Sequence, residues 1–158
     1  MSNIETFQGL IRQVTDFIGA QPLDKTLQEK LNQQFPYGGD VCQRIMEACR
    51  TGVQEGWMCQ YEAGGLRYGR VIKPAAELHN YSVDVVDMED IAGPHHRHPN
   101  GEIDLIMPMP ASQDARFDGR PGGWLVYGPD SAHSPTVTQG RALVLYLLPE
   151  GKIEFTRH

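Results

Sequence analysis

Near Gly52 the chain changes its hydrophobic period, and this change restricts its fold more than any other feature. Before it, apolar residues recur as on the face of a helix: Ile4, Phe7, Leu10, Ile11, Val14, Phe17 and Ile18. Ser2 or Asn3 can cap that helix, and Gly19 and Pro22 end it. Leu23, Leu27 and Leu31 mark a second helix that stops before Phe35-Pro36. After Gly38-Gly39, Asp40 can cap a third, with Val41, Ile45, Ala48 and Cys49 on its inner face. Beyond Gly52 the chain breaks into short runs of Val, Ile, Tyr and Leu separated by Gly, Pro, Asn and Asp. Candidate strands are 57–61, 67–73, 81–88, 95–98, 102–107, 123–127, 133–137, 142–148 and 153–155. No long helix reads between them, which argues against parallel βαβ winding. The run Arg141-Ala-Leu-Val-Leu-Tyr-Leu-Leu-Pro149 is apolar on both parities, so both faces of that strand should be covered. The expected architecture is mainly β, an antiparallel barrel or two-sheet sandwich with an N-terminal helical extension. A chain of 158 residues is expected to form a single domain, with the extension at 1–55 and the β part at 56–158.

Charge and cysteine content narrow the setting. A net charge of −6 argues against nucleic acid or an anionic membrane as the main partner, since both favour basic patches. No apolar run approaches a membrane span, and the first residues lack the basic and apolar regions of a signal peptide, so the cytoplasm is the expected location. Three cysteines do not form a disulfide framework, and Cys42 and Cys49 suit burial in a helix as small apolar side chains.

The chemistry concentrates in 91–109, IAGPHHRHPNGEIDLIMPM. His96 and His98 stand one residue apart, so on a strand both point to one face, about 6.5–7 Å apart at the backbone. Pro99-Asn100-Gly101 suits a bend and leads to Glu102. Two imidazoles and a carboxylate on one side of a sheet suit a divalent cation; the same residues also read as a His-rich surface loop. A second segment, GGWLVYGPDSAHSPTV, is a strand, a Gly-Pro turn and then His133, a candidate third imidazole from a neighbouring strand.

Together these segments resemble the cupin superfamily. Its first motif, HxH followed by Glu, stands here as His96-Arg97-His98-Pro99-Asn100-Gly101-Glu102. Its second motif is partly matched by Gly123, Pro129 and His133. That second motif departs from the pattern: one residue is missing between Pro129 and His133, Ser131 stands near the place of a glycine, and Val137 replaces a final Asn. In the first, Asp90 and Met109 occupy the flanking glycine positions. The resemblance implies a cupin-like β-barrel holding a divalent metal through His96, His98, Glu102 and His133, with zinc, iron, manganese and nickel all compatible with that donor set. The wording GPHHRHPNGEIDLIMP, GGWLVYGPDSAHSPTV and GRALVLYLLPEGKIEFT is similar to the bacterial 4-hydroxylaminobenzoate lyases of nitrobenzoate breakdown. That resemblance implies a small aromatic acid as substrate, with protocatechuate and ammonium as products.

Such a reaction needs acid or Lewis-acid help at the hydroxylamine oxygen, water addition to the ring and hydrolysis of the C–N bond. Glu102 is a candidate proton relay, and Asp104, of the same strand parity, is a second; Asp104 reads equally as a solvent-facing rim residue. The substrate carboxylate calls for an arginine fork, for which Arg67, Arg70, Arg97 and Arg141 are candidates. Arg97 has the parity opposite to its flanking histidines, and Arg70, inside a strand pattern, is the choice. His95 reads as a supporting or surface residue and His79 as solvated. Trp57, Tyr61, Trp124 and Tyr146 can line an apolar pocket or fill the core. Two other readings stay open: a different metal-dependent cupin enzyme such as an aromatic dioxygenase or an isomerase, and a non-catalytic module that binds a small acid. An apolar helix face left uncovered would suit a homodimer.

Overall fold

The computed structural model describes residues 3–156, beginning with α1 (Asn3–Ile18), α2 (Lys25–Gln34) and α3 (Asp40–Glu55). Helix α1 buries Phe7, Leu10, Ile11, Val14 and Ile18 along one face. It ends where Gly19 takes a left-handed φ of 51°, a conformation that costs glycine little. Ser2 lies outside the described residues, and Asn3 is itself the first residue of α1. Asp40 begins α3 after a Gly39 cap and pairs with Arg44 at 3.1 Å, so its charge still favours the helix start. Asp24 caps α2 by accepting a hydrogen bond from the Leu27 amide at 2.9 Å.

The strands are β1 (Tyr61–Ala63), β2 (Leu66–Ile72), β3 (Tyr81–Ala92), β4 (His96–His98), β5 (Glu102–Pro108), β6 (Arg116–Phe117), β7 (Gly123–Tyr127), β8 (Ser131–His133), β9 (Thr136–Pro149) and β10 (Glu154–Phe155). They form two antiparallel sheets, a larger one in the order β1-β2-β3-β9-β5-β7 with β6 also on β9, and a smaller one in the order β10-β4-β8. The expected strand at 57–61 is instead the exit from α3. The amides of Gly56, Trp57 and Met58 all converge on the Gly52 carbonyl, and the ladder starts only at Tyr61. The expected strand at 133–137 is split at Ser134-Pro135, where proline offers no amide to a ladder. The two-residue β6 is too short to register as a pattern in the sequence.

Strand β9 is covered on both faces, as its double-parity apolar run requires. Leu143, Leu145 and Leu147 face the core shared with the helices, and Ala142, Val144, Tyr146 and Leu148 face the second core with Met88, Ile106 and Phe117. On β5 the split is the same: Ile103, Leu105 and Met107 join the helix-side core, while Ile106 joins the other, on the parity of Glu102 and Asp104. Helix α2 closes the edge of β7. Gln28 Oε1 accepts from the Val126 amide at 3.0 Å, Asn32 Oδ1 accepts from the Trp124 amide at 2.9 Å, and Asn32 Nδ2 donates to the Trp124 carbonyl at 3.0 Å. Side-chain amides thus take the place of a missing neighbour strand.

Candidate metal centre

Strand alternation places His96 and His98 on one face of β4, with 2% and 0% of their surfaces exposed. Arg97, on the other face, pairs with Asp130 and Glu154, as its opposite parity implied. The chain then bends through Pro99-Asn100-Gly101. Gly101 has φ 89°, and a β-carbon there would meet Leu23 at 2.7 Å and the Tyr127 carbonyl at 2.8 Å, so the bend requires glycine. Directly after it, β5 delivers Glu102. Strand β8 lies beside β4 in a register that sets His133 opposite His96.

Ligand atoms of His96, His98, Glu102 and His133 all lie within 4.8 Å of one another. His133 Nε2 stands 3.2 Å from His96 Nε2, and Glu102 Oε1 stands 3.2 Å from His98 Nε2 and 3.7 Å from His96 Nε2. The opposite ring nitrogens explain which atoms face inward. His96 Nδ1 meets the Pro94 carbonyl at 3.3 Å, and His133 Nδ1 meets the Asp118 carboxylate at 2.5 Å. His98 Nδ1 meets Ser131 Oγ at 2.9 Å, and the Ser131 hydroxyl is itself donated to the Gly128 carbonyl at 2.6 Å. All three partners are acceptors, so each ring holds a proton on Nδ1 and turns Nε2 toward the centre, where it offers a lone pair to a cation or, in the absence of one, a proton to Glu102. Buried His98 Nε2 and both Glu102 oxygens have no hydrogen-bond partner among the described residues. Lone pairs gathered in this way, from three imidazoles and a carboxylate, fit a divalent cation.

Glu102 and Asp104 are both fully buried and adjacent. Burial opposes charge on Glu102, but the imidazoles of His96 and His98 outweigh it and hold the carboxyl below the usual range. Asp104 goes the opposite way: burial first, and then the charge of Glu102, push its carboxyl well above the usual range. As two carboxylates they would have no donor between them; a proton kept on Asp104 supplies one. Asp104 therefore shares the face of Glu102 as its parity implied, but it is enclosed rather than on a solvent-facing rim.

Asp118 escaped the sequence reading. It follows β6 at φ 51° and accepts from the His133 ring, the Tyr127 hydroxyl and, at 2.9 Å, the Thr136 amide. Burial raises its carboxyl, but His133 and Tyr127 together bring it below the usual range. Its Asp118-Gly119 dipeptide reads only as a turn, and nothing local indicates that the side chain reaches His133.

A cavity of about 440 Å³ opens between the two sheets onto His96. This is a size suited to a small ligand, within roughly 300–1,000 Å³. Arg70 lines it, with its fork on Asp84 at 2.8 and 3.2 Å and a further bond to the Gly151 carbonyl at 3.1 Å. Burial raises the Asp84 carboxyl, and Arg70 opposes that rise. Arg141 is held by Asp87, and Arg67 is exposed on β2. Of the four aromatics considered, Tyr146 alone lines this cavity. Trp124 lies in the helix-side core and donates to the Phe35 carbonyl at 2.9 Å, Trp57 packs edge-on against Phe7, and Tyr61 is exposed. His95 meets the Thr156 hydroxyl. His79, expected to be solvated, caps a short turn and pairs with Asp16 of α1 at 2.9 Å while remaining exposed.

Residues 9–155 match the sequence profile of the family described as 4-hydroxylaminobenzoate lyase. A 4-hydroxylaminobenzoate lyase of Nocardioides sp. (strain LMS-CY) is 31% identical over 138 residues, 82% of this chain and 80% of that protein. One of Pseudomonas putida is 29% identical over an alignment of 167 positions, 92% of this chain and 93% of that protein. Among solved structures, an RmlC-like cupin protein from Ralstonia eutropha superposes with a TM-score of 0.44 at 8% identity, over 60% of this chain and 62% of that one. An oxalate oxidase reaches 0.42 at 18% identity, over 60% of this chain and 57% of its own.

Proposed function

The chain belongs to the 4-hydroxylaminobenzoate lyase family, and from that premise we propose that it converts 4-hydroxylaminobenzoate to protocatechuate and ammonium at the His96–His98–Glu102–His133 cluster. The observation that carries this reading is the cavity joining the cluster, through His96, to Arg70, whose Nε and Nη2 are held by Asp84 and Gly151 and whose Nη1, without a hydrogen bond among the described residues, is the group offered to a carboxylate. A para-substituted benzoate needs both ends: a cation for its carboxylate and a reactive centre for its nitrogen. Apolar walls from Leu66, Val86, Met88 and Ile153 suit the ring between them.

The reaction balances within substrate and water. The N–O bond breaks and its oxygen leaves as water, which takes the ring two electrons down. Water then adds to the carbon beside the C–N carbon, and the resulting imine is hydrolysed to release ammonia. In sum a single water is consumed, and no external oxidant or reductant enters. Residues His96, His98, Glu102 and His133 would hold a divalent cation, and the chemistry it supplies in such a site is Lewis acidity toward an oxygen. Arg70 orients the carboxylate. Asp104 keeps a proton behind Glu102, so the pair forms a relay next to the reacting end. The proposed setting is the cytoplasm, which suits three free and buried cysteines.

The test is turnover of 4-hydroxylaminobenzoate by the metal-loaded protein in the absence of oxygen, following both products. Equal amounts of ammonium and protocatechuate are expected. Turnover that appears only in air would replace the lyase by an oxygen-dependent cupin enzyme. Binding without turnover in either atmosphere would leave a small-acid-binding module.

A further inference from the structure

Most polar groups around the cavity are already committed within the protein. Arg70 and Asp84 hold each other, and His96 has Nδ1 on Pro94 and Nε2 in the cluster. Exposure along the lining separates mouth from floor: Phe155 is 67% and Tyr68 41% exposed, whereas Tyr146 is 5% and His96 2% exposed. At that floor Tyr146 stands apart. Its ring packs against His96 and Phe117, with centroids 6.4 and 6.3 Å away. The hydroxyl makes no hydrogen bond among the described residues, yet it is not sealed off as the oxygens of Glu102 and Asp104 are. Phenylalanine would fill the same volume, and a phenol kept at the floor without a protein partner is costly unless something entering the cavity accepts its proton.

The sheet register gives this hydroxyl its place. Arg70 of β2 pairs with Asp84 of β3, and Asp84 pairs with Tyr146 of β9. Arg70 and Tyr146 therefore sit on one face, two strands apart, about 10 Å at the backbone. A para-substituted benzoate spans a similar length between its carboxylate and the outer atom of its para group. At neutral pH a phenol, with an ordinary pKa of about 10, carries its proton and is a donor.

Resting on the function read above, we propose that the Tyr146 hydroxyl donates a hydrogen bond to the hydroxylamine oxygen of the substrate, orienting that group toward His96 while Arg70 holds the carboxylate. Tyr146 is then a positioning and specificity-determining residue. It selects para substituents that carry an acceptor oxygen one atom out from the ring.

The test uses two non-reacting isosteres, 4-(hydroxymethyl)benzoate and 4-ethylbenzoate, titrated into the metal-loaded wild type and Tyr146→Phe. The wild type should prefer the hydroxymethyl compound by about three- to tenfold, the range of one net hydrogen bond. Tyr146→Phe should bring the two within twofold, with 4-ethylbenzoate bound as in the wild type. Its melting temperature should match the wild type, because the lost hydroxyl has no protein partner. If both compounds bind and the preference survives Tyr146→Phe, or if the variant melts well below the wild type, the role assigned to Tyr146 is wrong while the lyase reading stands. If neither benzoate binds the wild type, the substrate class itself is wrong and the proposal falls with it.

Discussion

At His96, His98 and His133, the orientation of each ring is decided by what its Nδ1 touches: a carbonyl, a spent serine hydroxyl and a carboxylate. Each contact reserves Nε2 for the centre. Replacing His96 by Ala should therefore remove metal without unfolding the chain, because the ring is part of the cluster while both apolar cores keep their members. Elemental analysis beside a thermal melt checks this, and a variant that retains its metal would refute the ligand assignment. Asp104 offers a test through pH. Its carboxyl is raised in the folded protein, so its contribution to stability is present below the ordinary aspartate range and is lost as pH rises through the folded value. Asn needs no proton to donate to Glu102. In metal-free protein, Asp104→Asn should thus gain stability relative to wild type as pH rises above the ordinary aspartate range of about 4, with the difference closing below it. The parities of His96 and His98, and of Glu102 and Asp104, were legible in the sequence because a strand repeats every two residues. Asp118 was not, since its contact with His133 depends on how the turn after β6 folds over β8.

Elements were legible where a period or a breaker residue marked them. Strand β9 carries apolar residues on both parities and is covered on both faces, by the helices and by the second core. The strand expected at 57–61 failed because a helix exit, with three amides on one carbonyl, overrode the local preference of Trp57 and Tyr61. The pairing of α2 with β7 had no local signal either: Leu27 and Leu31 define the buried face, but Gln28 and Asn32 read as ordinary polar helix residues. Their work lies in covering an edge ladder. Gln28→Ala should leave the buried Val126 amide unpaired and cost about 1–3 kcal/mol. Urea denaturation measures this directly, and an unchanged midpoint would mean that the edge is covered without Gln28.

For the molecule as a whole, the larger sheet carries the helix-side core on one face and on the other a cavity shared with the small sheet, with His96 of the cluster in its lining. The closed packing has a chemical signature. Burial raises the thiol of Cys42 to about 11 and that of Cys59 to about 12, and it raises Cys49 further still. At pH 8 the folded protein should leave all three thiols unreactive to a disulfide reagent, and denaturant should release all three together. Early reaction of one thiol would show that part of this core opens locally. The central claim concerns the source of oxygen. In the lyase reading the ring hydroxyls of protocatechuate both come from water, one by addition and one by imine hydrolysis. Turnover in oxygen-18 water under argon measures this most directly. The account predicts protocatechuate labelled at both ring hydroxyls, formed without dioxygen; a product whose ring oxygens come from dioxygen, or no product under argon, would contradict it.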